Sequence, residues 1–127
     1  MATTVAKGAA SEAAARAYLG ARGFRIIAAN QRFEGGELDL VAEDGDVIVF
    51  IEVRSRADDA LGAPVETVDA RKRRRVVAAA RAWIDANADR AAAARAMRFD
   101  VVGITWDADP PRIEHIPDAF DAAGNPY

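Results

Sequence analysis

Gly36-Glu37-Leu38-Asp39-Leu40-Val41-Ala42-Glu43-Asp44-Gly45-Asp46-Val47-Ile48-Val49-Phe50-Ile51-Glu52-Val53-Arg54-Ser55-Arg56 is the stretch whose reading decides the fold. Two apolar segments flank Asp44-Gly45, a dipeptide suited to the tight turn of a β-hairpin. In the first segment, Glu37, Asp39 and Val41 alternate with Leu38, Leu40 and Ala42, which predicts a strand over Glu37–Ala42 with each set on its own face. Val47–Val53 is a nearly continuous β-branched run, the pattern of a central strand covered on both sides. Ile48, Phe50, Glu52 and Arg54 share one face of it. Charge interrupts these strands at Asp39, Glu52 and Arg54.

An unpartnered buried carboxylate is costly, so Glu52 requires a partner. One reading supplies it with Arg54 or with a basic residue of the following helix. The other supplies a divalent metal. Asp39 and Glu52 lie five and seven residues from the turn, near enough to be neighbours on one face of the hairpin. Their hard oxygens suit Mg²⁺ or Mn²⁺, which take one or two carboxylates together with water and phosphate. A cation at Arg54 could orient a water or offset charge on a phosphate.

Outward from the hairpin, the alanine-rich segment from about Val5 to Arg22 predicts a helix, with Gly23 as its stop. Phe24–Ala28 reads as a short strand, and Asn30 to Gly36 as a turn-rich connection. Ser55 to about Val68 is irregular. Thr67 or Asp69 then caps a helix reaching about Asn87, with Val76, Val77, Ala80, Trp83 and Ile84 as its apolar stripe. Arg98–Trp106 predicts another strand and Arg112–Ile116 a short edge strand. Pro117 to Tyr127 reads as a loop, with one turn around Asp118–Ala122. The first three strands make an antiparallel meander. The long helix before the Phe99 strand is a right-handed crossover that sets that strand parallel to Val47–Val53. The fold class is α/β, a mixed sheet flanked by helices.

A chain of 127 residues with 51% hydrophobic content predicts one domain, its core over about 5–120 and a tail over 121–127. No apolar run is long enough to cross a bilayer, and the first residues lack the pattern of a secretory signal. There are no cysteines, hence no disulfides and no thiolate metal site; a cytoplasmic location is the default expectation. The net charge of -3 argues against a protein that coats nucleic acid by bulk charge. Its distribution points elsewhere, because Arg71-Lys72-Arg73-Arg74-Arg75 forms a basic block, with Arg81 beyond it and Arg54 and Arg56 upstream. Such a face can bind phosphate without reading sequence, or can be a solvated helix surface.

Other charged residues are open to either reading. Glu12 is a third carboxylate in the first helix, or an exposed one. Glu37 is an outer ligand, or a residue at a strand start. His115, the lone histidine, reads as structural, and Asp100 as a partner of backbone or of Arg98. Zinc spacings, a P-loop, a dinucleotide turn and a nucleophile elbow are all missing.

Asp39 followed by Glu52-Val53-Arg54 resembles the PD-(D/E)XK nuclease signature. More narrowly, the chain is similar to the YraN family of small bacterial proteins. The matching pieces are Gly8 with Glu12, Gly23, Asn30-Gln31-Arg32, Gly36-Glu37-Leu38-Asp39-Leu40, Phe50-Ile51-Glu52-Val53-Arg54-Ser55-Arg56, Gly62, Val68 with Lys72, Arg98-Phe99-Asp100-Val101-Val102, Ile113-Glu114-His115 and Ala119-Phe120. The resemblance implies a restriction-endonuclease-like fold, close to Holliday-junction resolvases. It implies a metal site of Glu12, Asp39 and Glu52 holding Mg²⁺ or Mn²⁺, and a DNA substrate, branched DNA included. Asp39, Glu52 and Arg54 would then do the chemistry, while Arg56, Arg71, Lys72, Arg74 and Arg75 would grip the nucleic acid. Arg54 stands where the signature has lysine, and a planar guanidinium that stays protonated is less apt to position one water. A non-catalytic nucleic-acid-binding module and a protein-interaction domain therefore remain as alternatives. A homodimer is open, with no long apolar seam to announce it.

Overall fold

The Gly36–Arg56 stretch forms a hairpin in the computed structural model, which describes residues 4–127, with side chains from Gly8 onward. The reading of Met1 to Lys7 for a signal lies outside the described side chains. Strands β2 (Gly36–Asp44) and β3 (Val47–Arg56) pair antiparallel from Asp44–Val47 to Leu40–Ile51. The two loop residues are Gly45 and Asp46, one position later than the Asp44-Gly45 dipeptide suggested. Gly45, at φ 61°, supplies the positive φ needed at the first loop position.

Strand β1 (Arg25–Phe33) lies antiparallel to β2, and β4 (Ala96–Thr105) runs parallel to β3, with Val47 opposite Ala96 and Arg56 opposite Thr105. Strand β5 (Arg112–Phe120) closes the sheet antiparallel to β4, giving the order β1-β2-β3-β4-β5. Helix α1 (Thr4–Ala21) precedes the sheet, and α2 (Ala70–Ala86) makes the crossover between β3 and β4, as the sequence predicts. A one-turn 3-10 segment at Pro64–Thr67 and a short helix α3 (Ala88–Ala93) complete the order. This is a mixed five-stranded α/β fold. Among the described residues no helix is long and apolar enough to cross a membrane.

Each face of the sheet buries its own core. On the α2 side, Leu38, Val41, Ile48, Phe50, Phe99 and Phe120 pack with Val76, Val77 and Trp83 of the predicted helix stripe. On the α1 side, Leu40, Ala42, Val49, Ile51, Val102 and Ile104 pack with Ala15 and Leu19. Each large apolar side chain removed from water in this way contributes roughly 1.5–3 kcal/mol. Helix α2 starts at Asp69, whose Oδ1 accepts the Lys72 N–H at 2.8 Å. It sits close on β2 because Gly36 has no side chain; a Cβ there would lie 2.1 Å from the Arg75 carbonyl oxygen.

Several expectations change. Leu38 does not share a core with Leu40 and Ala42, but packs on the opposite side with Val41. The alternation slips by one at Asp39 and, across the ladder, at Asn30, which takes the left-handed conformation at φ 53°. Asparagine tolerates that conformation, so β1 runs on through the predicted connection as far as Phe33. Strand β5 likewise extends to Phe120, taking Pro117–Phe120 from the predicted loop, while Asp121 to Tyr127 remains irregular with a turn at Ala122-Ala123. Pro117 is tolerated because β5 is an edge strand, and the Asp118 N–H is satisfied by Asp100 Oδ1 at 2.9 Å.

Candidate active site

Beyond Leu40–Ile51 the β2–β3 ladder stops and the two strands part. The Val53 N–H, left without a ladder partner, donates to Asp39 Oδ2 at 2.8 Å. This bond holds the Asp39 carboxyl within hydrogen-bonding reach of Glu52. Glu52 follows Ile48 and Phe50 on the α2 face of β3 and is 2% exposed. Its Oε1 lies 3.3 Å from Lys72 Nζ and 3.8 Å from Arg54 Nη1, while its Oε2 is buried with no donor.

Two ionised carboxylates are both acceptors, so their contact is favourable only if one is protonated or a cation lies between them. Burial first, then the Asp39 charge, push Glu52 up to about 8, and Lys72 only partly offsets them. Asp39 is also raised, chiefly by burial, against the bond from Val53. The pair is thus poised to bind a proton or a metal. An orphaned carboxylate oxygen beside a second carboxylate fits a hard dication. Among the described residues no three His, Cys, Asp or Glu side chains stand as a ready metal-binding group.

Glu12 is on the α1 side. It shares a hollow of about 370 Å³ with Asp39, Asn30, Ser11 and Ser55. The Asn30 Nδ2 donates to both Glu12 oxygens, at 3.1 and 3.2 Å, and Arg16 lies 3.5 Å away. The structure therefore brings Asp39 and Glu52 together and sets Glu12 across the same hollow as Asp39.

The α2 side is basic. Arg54, Thr67, Asp69, Arg71, Lys72 and Arg75 line a cup of about 270 Å³. Arg54 Nε donates to Thr67 Oγ1 at 2.7 Å, and the Thr67 hydroxyl donates to the Pro64 carbonyl at 2.7 Å. The guanidinium is thereby anchored to the loop before α2. Lys72 is the cation nearest Glu52, a compact ammonium held on a helix.

The basic block divides by helical phase. Arg71 and Arg75, four residues apart, face the cup with Lys72. Arg73 is structural, donating to the carbonyls of Gly124 and Val68 at 2.8 Å each. Arg74 is exposed outside the cup, and Arg81 bonds the Ala122 carbonyl. Arg56 lies further along β3, with its Nε buried and unpartnered. Glu37 pairs with Arg32 at 3.4 Å near the strand start.

Asp100 bonds backbone and Arg98, as the sequence reading has it, and His115 joins it. Asp100 accepts from Arg98 Nε at 3.0 Å and the Asp118 N–H, and its Oδ2 meets His115 Nε2 at 2.8 Å. Burial opposes its ionisation, but the bonds from His115, Arg98 and Asp118 outweigh it and hold the carboxyl below the usual range.

Sequence reasoning misses two contributions. Asn30, a turn former by its local pattern, both slips the strand and fixes Glu12; an asparagine between two strand-like segments is the available signal. Thr67, one of two candidate caps for α2, leaves the cap to Asp69 and anchors Arg54. Lys72 is the basic partner from the following helix that one reading of Glu52 requires.

The fold and site define a class, a small mixed α/β protein with a buried carboxylate pair where two strands part, acidic on one side and basic on the other. The chain belongs to the uncharacterised protein family UPF0102, whose model matches residues 11–104. UPF0102 is the YraN family that the sequence resembles. A UPF0102 protein of Anaeromyxobacter dehalogenans is 50% identical over 121 residues, covering 95% of this chain and 88% of that protein. One from Xanthomonas axonopodis pv. citri is 48% identical over 116 residues, covering 91% and 92%. One from Anaeromyxobacter sp. is 44% identical over 121 residues, covering 95% and 89%.

Proposed function

We propose that this protein is a metal-dependent endonuclease of restriction-endonuclease-like fold, acting in the cytoplasm on phosphodiester bonds of DNA, branched DNA included. The observation that carries the reading is the Asp39–Glu52 pair, with Glu52 Oε2 buried and unpartnered. Asp39 and Glu52 would hold Mg²⁺ or Mn²⁺, with Glu12 reaching from α1. The ion supplies polarisation of a phosphoryl oxygen and a water of lowered pKa. Lys72, 3.3 Å from Glu52, offsets charge on the phosphate and takes the place that Arg54 leaves open. Arg54, anchored by Thr67, contacts the scissile phosphate. Arg71 and Arg75 hold the adjoining backbone, with Arg56 and Arg74 further out.

The test is cleavage of linear, nicked and four-way DNA in Mn²⁺ by the protein and by Glu52→Ala. Cleavage by the first alone is expected. Equal cleavage by both, or none by either, would sink the catalytic reading. Calorimetric Mn²⁺ binding, lost in Glu52→Ala, provides a readout independent of activity.

A second reading has its own observation. Glu52 is already paired with Lys72 and approached by Arg54, as in a non-catalytic module that keeps the fold and binds nucleic acid. It predicts salt-dependent DNA binding that chelator leaves unchanged.

A further inference from the structure

The basic cup has more charge than a nucleic-acid backbone needs at one point. Its cationic lining comprises Arg54, Arg71, Lys72 and Arg75, and its only acid is Asp69. Lys72 is matched to Glu52. Asp69 is committed to the start of α2, where it accepts the Lys72 N–H. Among the described residues, the Arg71 and Arg75 guanidinium groups have no carboxylate within salt-bridge distance and no hydrogen-bond acceptor. Three guanidinium groups against one carboxylate leave an excess of at least two positive charges around one cavity. Arg54 is held in place through Thr67, so the cup is partly built before any ligand arrives.

An internal phosphodiester brings one negative charge. A phosphomonoester brings roughly -1.5 to -2 at neutral pH, with three acceptor oxygens. Arginine forks suit those oxygens by bidentate pairing. We propose that the cup takes a phosphomonoester dianion, namely the terminal phosphate of a nucleic-acid strand, and so directs the neighbouring carboxylate pair to an internal phosphodiester bond close to a strand end. The nucleic-acid identity of the ligand rests on the proposed nuclease reading; the charge and shape of the cup do not.

The experiment measures binding without cleavage, in chelator. Oligonucleotides of one sequence carry a 5′-phosphate, a 3′-phosphate or hydroxyl groups at both ends, and inorganic phosphate is titrated separately by ³¹P line broadening. One phosphate-ended strand is expected to bind about tenfold or more tightly than the hydroxyl-ended one, the scale of one or two charge-assisted bonds. The arm that wins identifies the end. Arg71→Gln with Arg75→Gln should abolish that preference and the phosphate broadening. Arg81→Gln with Arg90→Gln removes the same charge outside the cup and should leave both intact. Circular dichroism and melting confirm that each variant is folded.

Equal affinity for all three oligonucleotides overturns the proposal, as does equal loss of preference in both double variants. Inorganic phosphate binding that depends on Arg71 and Arg75, with no oligonucleotide bound at any salt, would refute the strand-end assignment and the nuclease reading together while locating the anion. Strand-end preference without Mn²⁺-dependent cleavage would keep the strand-end assignment and refute only the nuclease reading.

Discussion

Replacing Glu52 by glutamine should make the metal-free protein more stable, by an amount that grows with pH. The side chain is buried, one oxygen has no donor, and Asp39 is beside it. Its carboxyl is raised from 4.5 to about 8. Below pH 4.5 the native and unfolded chains both hold the proton, and the group does not influence stability. Between pH 4.5 and 8 the unfolded chain releases the proton while the native chain keeps it, so the native state loses stability as pH rises. At about 1.4 kcal/mol per pKa unit, the loss is about 3 kcal/mol by pH 7 and about 5 kcal/mol by pH 9. Glutamine is nearly isosteric with the protonated acid and has no such proton to lose. Urea denaturation of both proteins in chelator, from pH 4 to 9, should show near-equal stability at pH 4 and a widening advantage for Glu52→Gln above pH 5. Titrating groups remote from Glu52 cancel in the difference, and the coupled neighbours Asp39 and Lys72 contribute with it. Added Mn²⁺ should stabilise the parent at pH 8 and leave Glu52→Gln unchanged. Stability curves that run parallel from pH 5 to 9 would refute the argument that Glu52 is a strained carboxyl awaiting a cation.

Three further outcomes follow from the geometry. Lys72→Ala should reduce Mn²⁺-dependent cleavage by roughly 10²-fold or more, as expected when a group stabilising developing charge is lost, whereas Arg54→Lys should change it less than about tenfold; the reverse order in single-turnover rates would return the central cation role to Arg54. Gly36→Ala should lower stability by roughly 1–3 kcal/mol or more in urea, because its Cβ would meet the Arg75 carbonyl at 2.1 Å and push α2 off the sheet. Asn30→Ala should cost roughly 1–2 kcal/mol through the left-handed backbone and release Glu12, weakening Mn²⁺ affinity in calorimetry; unaltered affinity would show that Glu12 takes no part in holding the ion.

Much of this fold is written in local pattern. The turn near Gly45, the apolar run of β3, the Asp69 cap and the stripe of α2 are decided by neighbours in sequence, because hairpin turns, strand faces and helix starts obey short-range rules. The same local reading named Asp39 and Glu52, since a carboxylate in an apolar strand is conspicuous without any structure. It misjudged the length of β1 and β5, where Asn30 and Pro117 carry the marks of loops. There a bond to Asp100 and pairing with β2 outweigh local preference.

The sequence by itself determined the order of elements, the parallel crossover and the identity of the unusual carboxylates. Only the tertiary structure decided what those carboxylates meet. Lys72, twenty residues beyond Glu52, arrives at its Oε1 because α2 folds back over the sheet, and Gly36 permits that approach. Val53 can bind Asp39 only because the β2–β3 ladder ends two residues earlier. The physical reason is one of range. Turns, caps and periodicities are set within a few residues, whereas charge pairing depends on distances that only packing fixes.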